Sequence, residues 1–286
     1  MLKYWILAAR PKTLFVSVAP VLVGATFALR DQIFQWLPAL ICLVFALLAQ
    51  ITSNFINDYF DYVKGTDNEE RLGPARMCAS GFISAPAMLR ASFLTMGLAL
   101  LLGLSLLYWG GVELIAVGAL VAVFAFAYSG GPYPLSYHGW GDVAVLIFYG
   151  VVPVCFTYYI QTGVIISDVL WASLAVGALG VNLLIVNNYR DYQSDLRAGK
   201  KTTVVRFGRS AMRRVYALNG FFACLVALFI HPTGPFLYVA IPLWGFGITQ
   251  LWRKMGQTSG KALNRILGQT ALAVFVYALI LSVGLF

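Results

Sequence analysis

Two clusters of polar side chains each follow a long apolar stretch of this sequence. The first, NFINDYFDYVKGTD, spans Asn54–Asp67, and the second, NNYRDYQSD, spans Asn187–Asp195. Polar and ionisable residues at the end of an apolar membrane helix are costly to keep, so they indicate a functional site. Because both clusters end an apolar run, we expect them to face each other and to share one ligand.

Within each cluster, amide and carboxylate side chains recur every three or four residues, which places them on one face of a helix. They are Asn54, Asn57, Asp58 and Asp61 in the first cluster and Asn187, Asp191 and Asp195 in the second. Gly65 then allows a sharp turn that brings Lys64 and Asp67 back over the first face.

Oxygen ligands without His or Cys favour Mg²⁺, which uses one or two carboxylates and bridges substrate phosphates. The predicted metal ligands are Asn57, Asp58, Asp61, Asp67, Asp191 and Asp195. Cations near both clusters would neutralise phosphate oxygens: Lys64, Arg71, Arg190, Arg197, Lys200 and Lys201. The pattern predicts two Mg²⁺ ions bridging a diphosphate. The alternative, a solvated helix end capped by Asn and Asp, explains one cluster better than two matched ones.

Two further segments have open interpretations. The stretch Tyr128–Asp142 is rich in Gly, Pro and aromatic residues, which is typical of a connector but also suits a lid in which Tyr128 reaches the reacting carbon or the diphosphate. Arg10 and Lys12 precede the first apolar run. They serve either as a positive-inside anchor or as contacts to an acidic acceptor or to diphosphate.

The elements that position these residues are predicted to be membrane helices. The 286 residues are 60% hydrophobic and 11% charged, whereas soluble domains are about 25% charged. Taking about 20 residues per span, we predict an all-α polytopic membrane protein with nine spans. They run approximately Leu14–Leu29, Trp36–Asn57, Met88–Tyr108, Glu113–Tyr128, Val143–Gln161, Val169–Tyr189, Val215–Ile230, Phe236–Trp252 and Ile266–Phe286.

Loop charge predicts the orientation. All of the 20 Lys and Arg residues except Arg30 fall before the first span or in alternate loops, so the positive-inside rule places the N-terminus and both clusters at the cytoplasmic face. The long loops, predicted at Asp58–Ala87 and Asp191–Arg214 among others, lie on the same side. Topology signals and anionic-lipid contacts account for the net charge of +9, so we expect no nucleic-acid partner.

A weak internal repeat relates the two clusters. The second span ends in N-x-x-N-D-x-x-D and the sixth in N-N-x-x-D-x-x-x-D. We therefore expect a single domain over 1–286 with pseudo-repeat halves of about 1–128 and 129–286.

Four segments resemble the UbiA superfamily of intramembrane prenyltransferases. They are RPKTL at Arg10–Leu14, NDYFDYVKGTDNEERLGPAR at Asn57–Arg76, YSGGPYPLSYHGWGD at Tyr128–Asp142 and NNYRDYQSDLRAGKKTTVVRFGR at Asn187–Arg209. Gly65 stands where the superfamily motif has its last Asp, and Asp67 follows two residues later. That version is similar to the 1,4-dihydroxy-2-naphthoate polyprenyltransferase branch. Pro132 replaces a frequent lysine, so only Tyr128 is carried over from its loop.

The resemblance implies a polyprenyl diphosphate donor, a bicyclic aromatic acid acceptor, Mg²⁺ and a bacterial-type inner membrane. It implies prenylation at the carboxylate-bearing carbon with loss of CO₂ and diphosphate, giving demethylmenaquinone. The candidate catalytic residues are Asp61, Asp191, Tyr128 and Lys64. The candidate substrate-binding residues are Arg10, Lys12, Asn54, Lys64, Arg71, Tyr128, Asn187, Arg190, Lys200 and Lys201. The alternatives are another acceptor, such as 4-hydroxybenzoate, and a cation-coupled transporter.

Overall fold

The computed structural model describes residues 1–66, 71–230 and 235–286, without the side chain of Lys12. Regular structure in this part of the chain is helical throughout. The α-helices are α1 (Leu2–Ala9), α2 (Pro11–Arg30), α3 (Trp36–Val63), α4 (Ala85–Leu104), α5 (Leu107–Gly110), α6 (Leu114–Ser129), α7 (Gly141–Leu146), α8 (Val152–Thr162), α9 (Ser167–Arg197), α10 (Thr203–Phe229), α11 (Phe236–Gln257) and α12 (Leu263–Gly284). A π-helical turn, Ile147–Val151, joins α7 to α8, and 3₁₀ turns lie at Leu135–Tyr137 and Gly260–Ala262.

Among the described residues, seven helical stretches are long and apolar enough to cross a membrane. They are Thr13–Arg30, Trp36–Val63, Ala85–Leu104, Gly141–Thr162, Ser167–Arg197, Thr203–Phe229 and Gly260–Gly284. The apolar helix α6 is shorter, and α11 is not among the seven. Each predicted span coincides with helical structure, so the prediction of an all-α membrane protein is confirmed. The count of nine crossings and the orientation stay predictions.

The predicted loops around the two polar clusters are wrong in extent. Helix α3 continues to Val63, α9 continues to Arg197, and α10 begins at Thr203. The extended ends of α3 and α9 carry polar side chains that line an internal cavity, among them Asn57, Asp61, Asp191 and Asp195. Gly208 interrupts α10 with φ 81° and ψ 157°, a conformation that a glycine adopts without a steric penalty.

Helix α9 is the central element of the bundle. In its most apolar window 72% of the residues are buried, against 22% for α4, which has a large surface available to lipid. Small residues let α9 approach its neighbours closely. A Cβ atom placed on Gly150 of the π-helical turn would lie 2.4 Å from the Gly177 Cα atom and 2.5 Å from the Ser173 carbonyl oxygen.

This backbone-to-backbone contact gives a stability prediction. Gly150→Ala forces the π-helical turn and α9 apart, and such overpacking typically costs about 1–3 kcal/mol. We expect a lower midpoint for thermal unfolding of the detergent-solubilised protein. Gly247→Ala is the matched control, because no neighbouring atom lies within 4 Å of a Cβ at that position. Equal midpoints for the two variants would contradict the close contact.

Candidate active site

The polar clusters line part of a large cavity between the helices. Its volume is about 1030 Å³. The C-terminal parts of α3 and α9 contribute its acids and amides: Asn54, Asn57, Asp61, Asn187, Asn188, Asp191 and Asp195. The N-terminal half of α3, the C-terminal half of α4, α6 and α8 contribute mostly apolar side chains, such as Phe45, Leu100, Leu104, Val117 and Phe156. A polar site therefore opens into an apolar cavity.

Asp61 is the centre of the first cluster. Its Oδ2 atom lies 3.0 Å from Arg76 Nη2, and its Oδ1 atom lies 3.2 Å from Lys200 Nζ. Oδ1 also accepts hydrogen bonds from the Tyr137 hydroxyl at 3.2 Å and from Thr66 Oγ1 at 3.3 Å. The carboxylate is buried, and these donors and cations compensate for its removal from water.

Arg76 joins two of the predicted metal-side residues. Its Nη2 atom donates to Asn57 Oδ1 as well as to Asp61, and its side chain is buried. Arg76 and Tyr137 are not among the site residues that the motifs of the sequence predict. The available signal was their position in two segments that carry the family resemblance, Asn57–Arg76 and Tyr128–Asp142.

Asp58 binds backbone groups of the protein and does not line the cavity. Its Oδ2 atom accepts from the Met77 backbone N–H at 2.9 Å, and its Oδ1 atom accepts from the Cys78 backbone N–H at 3.0 Å. It is 1% exposed and is not among the residues lining the cavity. This geometry argues against our prediction of Asp58 as a metal ligand, because both oxygens already hold the chain that follows Arg76.

The second cluster is built around Arg190. Its guanidinium donates two hydrogen bonds to the Asp191 carboxylate, from Nε to Oδ1 at 2.8 Å and from Nη2 to Oδ2 at 2.5 Å. It also donates to Asn187 Oδ1 at 2.8 Å and to Asn264 Oδ1 at 2.7 Å. Asn264 in turn donates to the Leu72 carbonyl at 2.8 Å. Arg190 thereby links α9, α12 and the segment before Arg76.

Asp195 and Lys200 complete the polar part of the cavity. The Asp195 side chain is buried, and its carboxylate accepts no side-chain hydrogen bond from a described residue, which leaves its oxygens available to a ligand. Burial by itself lowers the pKa of Lys200, but Asp61, Tyr137 and Asp195 outweigh that effect and raise it. The ammonium is therefore charged at neutral pH.

Some of the other predicted substrate-binding residues line the cavity and some lie outside it. Arg10, Arg71 and Tyr128 line the cavity. Lys64 lies outside it, donating to the Ser129 carbonyl at 2.7 Å, with its Nζ atom 4.1 Å from the Tyr137 ring centroid. Lys201 is exposed and contributes only its backbone N–H, which donates to the Tyr137 carbonyl at 2.8 Å.

Asn54 lines the cavity, but its amide is engaged by the protein itself. Its Nδ2 atom donates to the Ala9 carbonyl at 2.9 Å, and its Oδ1 atom accepts from Gln50 at 3.2 Å. It positions the junction between α1 and α2. The predictions for Asp67 and for the Lys12 side chain lie outside the described residues.

The donor set fits Mg²⁺ that is shared with a phosphate ligand. Within the described ranges, no group of three or more His, Cys, Asp or Glu side chains is close enough to hold a metal ion alone. Mg²⁺ needs no such group when substrate phosphates and waters supply its remaining ligands. Asp61, Asp191 and Asp195 line one cavity together with four asparagine side chains of the same two helices, which is the oxygen chemistry that Mg²⁺ prefers.

A helical bundle with acids and cations at the polar part of an apolar cavity defines an integral membrane protein that binds an amphiphile with a charged head group. The chain belongs to the UbiA prenyltransferase family, whose sequence model matches residues 17–283.

Relatives of known activity are similar over most of the chain. The 1,4-dihydroxy-2-naphthoate octaprenyltransferase of Escherichia coli is 35% identical, covering 99% of this chain and 94% of the relative. The protein of the same name from Haemophilus influenzae is 38% identical, covering 85% and 83%. A UbiA homolog from Archaeoglobus fulgidus bound to GPP and Mg²⁺ superposes with a TM-score of 0.68. It is 16% identical and covers 98% of this chain and 99% of that one.

Because Asp58 and Asp61 have different surroundings, we expect their substitution by Asn to have different effects. Asp58→Asn removes a charged acceptor from two buried backbone N–H groups, so we expect about 2 kcal/mol of lost stability. The folded fraction keeps its turnover number. Asp61→Asn weakens the charge balance at the cavity, and we expect turnover to fall about 100-fold or more. Thermal unfolding and kcat of the purified variants measure both effects. A loss of kcat in Asp58→Asn equal to that in Asp61→Asn would place Asp58 in the chemistry.

Proposed function

We propose that this protein transfers a polyprenyl group from a polyprenyl diphosphate to 1,4-dihydroxy-2-naphthoate, as in menaquinone biosynthesis. The main support for the proposal is that the ion pairs of Asp61 and Asp191 line one part of a cavity of about 1030 Å³ whose remaining wall is largely apolar. One ligand with a charged head and a long apolar tail matches both parts. The named activity of the relatives at 35% and 38% identity supports the naphthoate acceptor.

The ion pairs suit a diphosphate that arrives with metal. Arg76, Arg190 and Lys200 would bind the phosphate oxygens, because arginine and lysine both bind phosphate strongly. Asp61, Asp191 and Asp195 would hold Mg²⁺, which would supply Lewis-acid stabilisation of the departing diphosphate. Asp61, Asp191 and the cations paired with them would each keep a partner of opposite charge, so none of these buried charges would be left uncompensated.

The reaction balances without an oxidant. The bond between the prenyl carbon and the diphosphate oxygen breaks, and diphosphate leaves with the electron pair. A carbon–carbon bond forms at the ring carbon that bears the carboxylate. The electrons of the bond to the carboxylate carbon then restore the aromatic ring as CO₂ leaves. The direct product is the dihydroxy form of demethylmenaquinone, and the quinone itself requires a later two-electron oxidation.

The proposal includes a membrane arrangement. Nine crossings with a cytoplasmic N-terminus would place the C-terminal ends of α3 and α9, and therefore the charged site, at the cytoplasmic face of the inner membrane. The distribution of Lys and Arg supports this orientation. The side chains with large exposed apolar areas, such as Trp36, Leu94 and Phe246, would face lipid.

An acceptor assay tests the activity. Purified protein receives one polyprenyl diphosphate and either 1,4-dihydroxy-2-naphthoate or 4-hydroxybenzoate, and released diphosphate and CO₂ are both measured. We expect equal amounts of both products with the naphthoate and neither with 4-hydroxybenzoate. Diphosphate release with 4-hydroxybenzoate alone would assign the other acceptor. Substrate uptake into vesicles in the absence of prenyl donor would instead support a transporter.

Metal removal tests the role of the acids. We expect EDTA to abolish turnover and Mg²⁺ to restore it. Asp191→Asn should require a higher Mg²⁺ concentration for half-maximal activity, since one predicted ligand has lost its charge. Glu113→Gln is the control, because Glu113 is exposed and does not line the cavity. Full activity in EDTA would contradict the metal-bridged diphosphate.

A further inference from the structure

Arg10 is held in a strained conformation between α1 and α2. Its backbone is left-handed, with φ 53° and ψ 68°, a region that residues other than glycine rarely occupy. Asn54 of α3 holds this turn through the Ala9 carbonyl at 2.9 Å. Such strain persists only where the surrounding structure enforces it, and it concentrates at functional sites. The fold therefore fixes the position of the Arg10 side chain.

The Arg10 side chain lines the cavity, and no carboxylate in the described part of the chain forms an ion pair with it. Its Nη2 atom is buried and has no hydrogen-bond partner among the described residues. Arg76 and Arg190, by contrast, pair directly with Asp61 and Asp191. Burial, followed by repulsion from Arg71, lowers the pKa of Arg10 to about 10, so its guanidinium is still charged at neutral pH. A buried charged donor without a partner is unfavourable, and an anionic ligand would remove that penalty.

The groups along the same wall are neutral and suit an aromatic ligand. Ser17 of α2 lies about two helical turns beyond Arg10. Its Oγ atom is also buried and lines the cavity beside the Tyr149 hydroxyl. Tyr149 lines the cavity as well, and its hydroxyl donates to Gln50. The Arg10 cation beside hydroxyl groups and an aromatic ring matches a hydroxylated aromatic monoanion.

We propose that Arg10 binds the carboxylate of the aromatic acceptor and so selects acidic aromatic compounds over neutral ones. The inference rests on the prenyl transfer to an aromatic acid proposed above. The planar guanidinium matches a carboxylate with two parallel hydrogen bonds, which fixes the orientation of the ring as well as its position. That orientation presents the carboxylate-bearing carbon to the prenyl donor, and Asn54 acts indirectly by positioning Arg10.

A pair of aromatic probes that differ only in the carboxylate tests the proposal. Binding of 1-hydroxy-2-naphthoate and of 1-naphthol to the full-length protein in lipid nanodiscs is measured by calorimetry without prenyl donor. We expect Arg10→Gln to weaken binding of the acid about 10- to 100-fold, as for loss of a hydrogen-bonded charge, and to leave 1-naphthol binding unchanged. The affinity of Arg10→Lys for the acid should lie between that of the wild type and that of Arg10→Gln, because lysine keeps the charge but lacks the planar guanidinium group.

Matched controls separate a binding role from a structural one. Arg90→Gln removes an exposed cation that does not line the cavity, and we expect wild-type affinity for both probes. The KM for the polyprenyl diphosphate should be unchanged in Arg10→Gln. A rise in that KM, with unchanged affinity for the acid, would make Arg10 a diphosphate ligand and overturn the proposal. Equal weakening of both aromatic probes together with a lower unfolding temperature would show that Arg10 is only structural.

The test also separates this proposal from the acceptor assignment. If wild-type protein fails to prenylate 1,4-dihydroxy-2-naphthoate but binds 4-hydroxybenzoate in an Arg10-dependent manner, the naphthoate assignment fails. The role of Arg10 as the carboxylate-binding residue is then supported.

Discussion

The acids of this site are buried in a largely apolar bundle, and buried charge must be paired. Asp61 lies 3.0 Å from Arg76 and 3.2 Å from Lys200, and Asp191 lies 2.5 Å from Arg190. Removing one partner of such a pair leaves an uncompensated charge and is strongly destabilising. The two pairs of Asp61 join segments that are separate in the sequence. They bring the loop that contains Arg76 and the turn that contains Lys200 onto the C-terminal end of α3.

The same constraint makes the site ready for a ligand that carries both signs of charge. A diphosphate alone would have to displace the carboxylates from their cations, and a metal ion alone would have to displace the cations from their carboxylates. A metal diphosphate offers a partner to each. Because the apolar cavity wall excludes water and lowers the local dielectric constant, these interactions are stronger than they would be at a surface. The apolar remainder of the cavity then accommodates the tail that such a head group carries.

Apolar runs of about 20 residues located the nine predicted spans, and the spacing of Asn and Asp located the two polar helix faces, because both depend on local sequence. It could not show which atoms satisfy each acid. Asp58 and Asp61 share a helix face, yet Asp58 binds the backbone of Met77 and Cys78 whereas Asp61 faces the cavity. Arg76 and Tyr137 reach Asp61 only through tertiary folding, so spacing did not reveal them. Likewise, the charged start of α10 concealed a helix that begins at Thr203.

The central claim is that the cations of the site bind diphosphate while its carboxylates bind Mg²⁺. The most direct test is whether Mg²⁺ increases the affinity for diphosphate. The affinity of the full-length protein for inorganic diphosphate is measured by calorimetry with and without Mg²⁺, in wild-type protein and in Asp61→Asn. We expect Mg²⁺ to raise the affinity of the wild type about tenfold or more, within the usual range of coupling free energies, and the gain to disappear in the variant. That difference separates coupling at the site from complex formation in solution. An affinity that Mg²⁺ leaves unchanged, or raises equally in both proteins, would contradict the account.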